Sequence, residues 1–306
     1  MIGMTRKIGF IGLGKMGRRM ARVLLTKGFP LVVYDIRDEA VNEAVKLGAQ
    51  KASSAKEVAE KSEVIMSSLP TPRDVEDVYL GKNGVLEGIK PGSVIIELST
   101  IDPGTSIKIA QEAAKRGAHY LDCPVSGGPE HAEKGELTIF VGGDYEAFKS
   151  VEEILRVIGK NVNYIGKTGA GNIVKLTNNI MSLLNILVAS EALVFGVKAG
   201  LDADALFNVL NTGAGRSYIF TACFPRVLEG DFRPHFSLDY AIKDLGIALD
   251  YAKKLKIPMP MVSLAHTLYQ MASATGRGND DFTAVICLLE ELSGVKVRSK
   301  KTSSDT

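Results

Sequence analysis

The pattern of the chain changes once, near residue 166, and that change limits its fold more than any other feature. Before it, the apolar runs Lys7–Gly12, Leu31–Asp35, Val64–Ser68, Val94–Leu98, His119–Asp122 and Thr138–Gly142 read as strands. The stretches Lys15–Lys27, Asp38–Leu47, Ala55–Lys61, Pro103–Arg116 and Tyr145–Ile158 between them read as helices. Strands spaced by helices build right-handed crossover units around a mostly parallel sheet. After the glycines at 166, 169 and 171 almost everything reads as helix: Asn172 to Lys198 without a break, then Asp202–Thr212, Ser217–Leu228, Leu238–Leu255, Met261–Thr275 and Asp281–Ser293. The expectation is an α/β domain over 1–167, an all-α domain over 168–295 entered by one long interdomain helix, and a polar, frayed tail over 296–306.

Gly12-Leu13-Gly14-Lys15-Met16-Gly17 closes the first strand and opens the first helix, the setting in which a GxGxxG run has physical meaning. Gly12 allows the tight turn, Gly14 lets a pyrophosphate approach the backbone, and Gly17 lets helix pack on strand. The helix N-terminus then offers N–H groups and positive dipole to phosphate. The second strand ends in Asp35, 18 positions after Gly17, where a carboxylate can accept from the adenosine ribose hydroxyls and repel a 2′-phosphate. Arg37, two residues on, could instead bind that phosphate. The N-terminal domain therefore reads as a Rossmann-type fold holding NAD or NADP, with NAD favoured.

In open α/β sheets ligands collect at the carboxyl ends of strands. Three such ends carry chemistry: Leu69-Pro70, Ser99-Thr100, and Asp122-Cys123-Pro124-Val125-Ser126-Gly127-Gly128. The Ser126–Gly128 turn offers a hydroxyl and consecutive N–H groups, an arrangement that can hold a carboxylate. In the long helix, Lys175, Asn178 and Asn179 fall on one face. Lys175 reads either as a general base, which needs burial or a neighbouring cation such as Lys243 to lower its pKa, or as a lysine at a solvated helix end. Of four histidines, His131 lies just past the Ser-Gly-Gly turn and is the one whose place leaves a substrate contact open, beside the plainer reading of a loop residue.

Composition excludes several classes. Thirty-seven basic residues face 35 acidic ones, interleaved, so no basic field points to nucleic acid. Cys123, Cys223 and Cys287 are far apart and form no metal-binding spacing, so they read as small core residues of a reducing compartment. The N-terminus runs straight into a strand with no signal-peptide segment, and Ile180–Val197, broken by Ser182, Asn185, Ser190 and Glu191, reads as a buried helix rather than a membrane span. A cytoplasmic enzyme without metal is expected.

Taken together, Gly9–Gly17, Asp122–Gly128, Gly169–Asn179, Lys243-Asp244-Leu245 and Gly278–Ile286 resemble the β-hydroxyacid dehydrogenase family, in family order from about residue 7 to 293. The resemblance, to the 3-hydroxyisobutyrate dehydrogenase-like members, implies reversible NAD(P)-dependent oxidation of a small 3-hydroxy acid. It implies Lys175 as acid/base, Ser126, Gly127 and Gly128 on the substrate carboxylate, Asn179 on the reacting oxygen and Lys243 beside nicotinamide and substrate. It also implies Leu13, Met16, Leu69, Pro70 and Thr100 around the cofactor, and a homodimer or homotetramer formed by the helical half. Pro129-Glu130-His131-Ala132 departs from the family's usual Gly-Ala after the Ser-Gly-Gly turn, which bears on the substrate pocket. The rival activities are reduction of short aldehydes or keto acids, such as glyoxylate or succinic semialdehyde, at the same site, and a non-catalytic nucleotide-binding module.

Overall fold

The computed structural model describes residues 6–300; residues 1–5 and 301–306, with the expectations placed on them, lie outside the described residues. The chain forms two compact units, residues 1–175 and 176–306. The first holds β1 (Ile8–Ile11), β2 (Leu31–Tyr34), β3 (Gln50–Lys51), β4 (Val64–Ser67), β5 (Val94–Glu97), β6 (His119–Asp122), β7 (Val125–Ser126), β8 (Leu137–Gly143) and β9 (Gly159–Gly166). They form one sheet in the order β3-β2-β1-β4-β5-β6-β8-β7, with β9 on β8. Every pair from β3 to β6 is parallel, while β8 runs antiparallel to β6 and β7. This is the doubly wound order, with its switch point between β1 and β4.

Side chains alternate across the pleat into two cores. Ile8, Phe10, Met66 and Ile96 pack with Met20, Leu24, Val151 and Leu155 of the helices Gly17–Thr26 and Tyr145–Ile158. Ile11, Ile65 and Ile95 pack with Val58, Tyr79 and Ile109 of the helices Ala55–Glu60, Pro72–Leu80 and Pro103–Ala114. With both faces covered, the strands must be apolar throughout, which is why they read so clearly.

The strands β3, β7 and β9 and the helices Pro72–Leu80, Val85–Gly88 and Gly128–Lys134 go beyond the sequence expectation. Strand β9 is mostly exposed and offers no apolar alternation; backbone pairing to β8 and a hydrogen bond from the Tyr164 hydroxyl to the Gly143 carbonyl hold it. The helix Pro72–Leu80 did carry a signal in Thr71-Pro72-Arg73-Asp74. The Thr71 hydroxyl caps the Asp74 N–H at 3.2 Å and Pro72 occupies the first turn.

The second unit is helical. Its core gathers Leu183, Ile186 and Leu193 of the helix Ala170–Lys198 with Phe220, Phe224, Leu245, Tyr269 and Ile286 from later helices. Ala170–Lys198 is long and apolar enough to cross a membrane by length and composition. It is not enclosed as expected, however: one face enters this core while Met181, Val188 and Phe195 lie exposed on the other. The expected fraying also fails as far as residue 300. Val297 is fully buried with its N–H on Glu290, and Arg298 pairs with the same buried carboxylate.

Candidate active site

The glycine turn has the geometry a dinucleotide requires. Gly12 adopts φ +86°, and a Cβ there would stand 2.3 Å from the Ser68 carbonyl oxygen. At Gly17 a Cβ would stand 1.9 Å from the Gly12 carbonyl oxygen, so the helix reaches the strand because there is no side chain. At Gly14 the nearest atom to a built Cβ is Arg37 Nη2 at 4.0 Å, which leaves the backbone open to a ligand. The first turn of the helix Gly17–Thr26 takes no side-chain cap, so it keeps its attraction for anions. These features form a cradle that fits a pyrophosphate.

Asp35, just past β2, accepts from the Leu13 N–H at 2.6 Å and from the Arg37 N–H and Nε–H at 2.9 and 3.2 Å. Burial pushes its carboxyl upward, but the hydrogen bonds from Arg37 and Leu13 hold it below the ordinary value. The carboxylate thus ties the glycine turn to the end of β2 and engages the guanidinium that was the alternative phosphate ligand. Leu13 itself is buried in the core, and Met16 is half-buried at the start of the helix.

At the end of β6 stands a second, fully buried carboxylate. Asp122 accepts from the N–H groups of Gly169 at 2.8 Å and Asn172 at 3.0 Å, fastening the first turn of the helix Ala170–Lys198. Burial raises its pKa to about 6 against these bonds. Asn172 is fixed again by its side chain, which accepts from Ser106 Oγ at 3.0 Å and donates to the Ile101 carbonyl at 3.2 Å. The motif Gly169-Ala170-Gly171-Asn172 is therefore a packing requirement: a Cβ on Gly171 would lie 2.4 Å from the Phe140 carbonyl oxygen and 2.6 Å from that of Asp122. Lys175, half-buried, follows one turn later on the same helix. The loop that leaves Asp122 in the other direction reaches Ser126, then Gly127 at φ +133° and Gly128 at φ +69°. Gly127 sits against His131, whose Cβ would be 2.9 Å from an added Cβ, while the space around Gly128 is open.

In the second unit, buried Asn179 donates from Nδ2 to Asp244 Oδ2 at 2.6 Å, and Lys243 Nζ lies 3.0 Å from Asp244 Oδ1. The Lys243 ammonium also sits 5.6 Å from the centre of the Tyr240 ring. Asp244 was legible only as the neighbour of Lys243; here it orients both polar residues. Leu69 and Thr100 are half-buried and Pro70 is exposed, at the ends of β4 and β5. Sequence reasoning missed what lies beneath them: Glu97, the last residue of β5, is a fully buried carboxylate. Its sole signal was one acid inside the otherwise apolar run Val94–Leu98.

A doubly wound sheet with this glycine turn and this acid on the second strand defines an NAD(P)-dependent dehydrogenase. Residues 7–166 match the profile of the NAD-binding domain of 6-phosphogluconate dehydrogenase, and residues 169–289 match that of the NAD-binding domain of NADP-dependent 3-hydroxyisobutyrate dehydrogenase. The chain is 40% identical to 2-(hydroxymethyl)glutarate dehydrogenase of Eubacterium barkeri, over 95% of this chain and 97% of that one. It is 39% identical to human mitochondrial 3-hydroxyisobutyrate dehydrogenase, over 93% and 87%. Its fold matches that of Mycobacterium tuberculosis 3-hydroxyisobutyrate dehydrogenase, a structure with L-serine, at a TM-score of 0.87 and 30% identity over 94% and 99%. The chain belongs to the β-hydroxyacid dehydrogenase family. It is an oxidoreductase acting on hydroxy acids with NAD or NADP.

Proposed function

We propose that the enzyme interconverts a small 3-hydroxy acid and its semialdehyde, with Lys175 as general acid/base. The observation that carries this reading is the Asp122 anchor. One carboxylate fixes the helix turn that leads to Lys175, and from the same residue departs the loop that ends in Ser126, Gly127 and Gly128. The amine and the carboxylate-holding turn are thereby given a common reference point, as orientation of a small substrate demands.

In this reading Gly12, Gly14, Gly17 and Asp35 hold the dinucleotide, with Leu13, Met16, Arg37, Leu69, Pro70 and Thr100 around it. When bound, it supplies the redox capacity, accepting or returning hydride. Ser126 Oγ and the N–H groups of Gly127 and Gly128 hold the substrate carboxylate. The neutral amine of Lys175 takes the proton from the 3-hydroxyl, and in the reductive direction its ammonium returns that proton to the carbonyl oxygen. Asn179, one turn along the helix and held by Asp244, orients that oxygen. Lys243 adds positive charge beside it. NAD is the preferred cofactor in this reading, because an acid at the end of the second strand accepts from the ribose hydroxyls and repels a 2′-phosphate. Residues 1–167 bind the cofactor; 168–295 complete the substrate site and form a homodimer or homotetramer. A small carboxylate is the partner, with no nucleic acid, membrane or metal, and the cytoplasm is the compartment.

The names of the relatives support the substrate class, since 3-hydroxyisobutyrate and 2-(hydroxymethyl)glutarate both carry a hydroxymethyl group next to a carboxylate-bearing carbon. In a Lys175→Ala variant, NADH affinity should stay within about threefold while turnover falls by about 10²- to 10⁴-fold, the usual contribution of a general acid/base. Near-normal turnover would remove Lys175 from this role. Steady-state comparison of 3-hydroxyisobutyrate, serine, glycerate and 2-(hydroxymethyl)glutarate with glyoxylate and succinic semialdehyde separates this activity from simple aldehyde or keto-acid reduction.

A further inference from the structure

The carboxylate of Glu97 is unused by the chemistry above, yet it is fully buried at the carboxyl edge of the sheet, where ligands collect. Burying a carboxylate costs several kcal/mol unless its oxygens are well satisfied, and an apolar residue ending β5 would avoid that cost. What the carboxylate engages is therefore informative. Its register partner across the parallel β4–β5 pair is Ser67, whose hydroxyl donates to Oε2 and is itself 2.6 Å from the Tyr79 hydroxyl. Oε1 accepts from the Ser99 N–H at 2.8 Å. Ser99 Oγ in turn accepts from the Leu69 N–H at 2.7 Å. Next to Leu69, the Ser68 carbonyl lies against Gly12, close enough that any Cβ there would collide with it.

We propose that Glu97 is a positioning residue for the dinucleotide: through Ser67, Ser99 and the Leu69 N–H it sets the loops after β4 and β5 against the glycine turn. The proposal rests on the reading that Leu69, Pro70 and Thr100 border the cofactor. Two hydrogen bonds in series lead from the buried acid to the Ser99 N–H after β5 and from Ser99 Oγ to the Leu69 N–H after β4, and a third ties the acid to Ser67 within β4. The strand ladders do not need it, because the backbone pairs of β4 and β5 are complete without it. Its fixed length is what a shaped loop requires, since apolar packing alone tolerates small shifts.

The same network makes binding sensitive to proton uptake. Facing Glu97 are the hydroxyls of Ser67 and Tyr79, and its charge is also felt by the Tyr120 phenol and, with Asp122, by the Cys123 thiol. Ionised, the carboxylate accepts from Ser67 in β4 and from the Ser99 N–H in the loop after β5, and its charge strengthens both bonds; the loop after β4 is joined to it through Ser99 Oγ. Protonated, it must donate to Ser67, which reverses the hydroxyl chain as far as Tyr79 and leaves the Ser99 link neutral. Burial, opposed by the bonds from Ser67 and Ser99, puts this change near pH 7.

The test is NADH affinity of the full chain, by fluorescence titration at pH 6 and pH 8, alongside thermal midpoints. Wild type should bind about fivefold more weakly at pH 6. Glu97→Gln, which keeps the volume and cannot ionise, should bind about fivefold more weakly at pH 8 and lose most of the pH ratio, so that only the part belonging to Asp122 remains. Ser99→Ala, which breaks the link to Leu69 without touching the buried acid, should weaken binding about threefold; it carries the test if Glu97→Gln does not fold. A lower midpoint in Glu97→Gln with wild-type affinity and pH ratio overturns the proposal, as does unchanged affinity in Ser99→Ala. Thr100→Ala separates the two layers. If it weakens binding while the Glu97 and Ser99 variants do not, Glu97 alone loses its role; if it leaves binding unchanged, the reading of the loops falls and the proposal falls with it.

Discussion

At the residue scale the proposed cofactor site rests on two carboxylates, one legible and one hidden. Asp35 could be read because it falls at a fixed distance from a glycine motif, and a motif reports chemistry that must sit at a given spacing. Its partner could not be read, because only coordinates show the Arg37 guanidinium folded onto Asp35. Asp35→Asn removes the repelling charge and the ion-pair partner of Arg37 together. Its kcat/KM with NAD should fall about tenfold and that with NADP should rise, which parallel assays will show; an unaltered ratio would count against Asp35 as the discriminator. Glu97 was hidden because a strand buried on both faces is recognised by its apolar run, and one acid within Val94–Leu98 does not break that pattern. Its burial has a thermodynamic consequence. The folded pKa is raised from 4.5 to about 7, so folded protein holds a proton that unfolded chain releases. The associated stability is present below pH 4.5 and is lost as pH rises to 7, at about 1.4 kcal/mol per pH unit, or about 3 kcal/mol in all. Asp122, raised from 3.8 to about 6, adds a loss of the same sign at lower pH. Urea titrations of the cofactor-free protein between pH 5 and pH 8 should show stability falling with pH, and Glu97→Gln should flatten the fall. Equal slopes for the two proteins would assign the titration elsewhere.

At the element scale the legible parts are those whose burial imposes a period. The strands β1, β2, β4, β5 and β6 and the helices Tyr145–Ile158 and Leu238–Leu255 fall where the pattern put them. Strand β9 was not legible because backbone pairing holds it rather than an apolar face, and the helix Pro72–Leu80 was missed although its cap was written in the sequence. The glycines separate structural from functional constraint in a way that can be measured. Gly171→Ala drives a methyl into two backbone carbonyls that cannot turn aside. It should cost about 1–3 kcal/mol by overpacking, less the roughly 1 kcal/mol that alanine gains over glycine inside a helix. Gly14→Ala meets nothing closer than 4.0 Å and keeps an ordinary backbone conformation, so its thermal midpoint should hold. If the pyrophosphate lies on that backbone, NADH binding should weaken at least tenfold. A Gly14→Ala protein that binds NADH normally would show that the dinucleotide does not approach there.

At the scale of the whole molecule the unresolved demand is the outer face of the helix Ala170–Lys198. Met181, Val188 and Phe195 recur every seventh residue and are 63, 60 and 77% exposed, while the opposite face packs Leu183, Ile186 and Leu193 into the helical core. A repeat of seven brings side chains to one side of a helix every two turns, the spacing with which helices pair along their length. Near the end of the stripe, Lys198 Nζ bonds to the Ser293 carbonyl of the helix Val285–Ser293, whose Leu292 is also exposed. Withdrawing such side chains from water is worth about 1.5–3 kcal/mol each, enough for a few of them, counted on both copies, to offset the cost of association. Composition and length showed only that this helix is apolar; which side is covered emerges when the other helices have taken theirs. A second copy of the chain is the occupant the proposed assembly requires. Because these side chains already face solvent, Val188→Asp and Phe195→Asp should leave the fold, the far-ultraviolet spectrum and the thermal midpoint of the monomer nearly intact. Both should move the sedimentation mass from a dimer or tetramer to a monomer at micromolar concentration. Should the charged variants keep the assembled mass, the interface lies elsewhere. Should the wild type instead float with phospholipid vesicles while remaining monomeric, the stripe would be serving a membrane surface and the homo-oligomer would have to be abandoned.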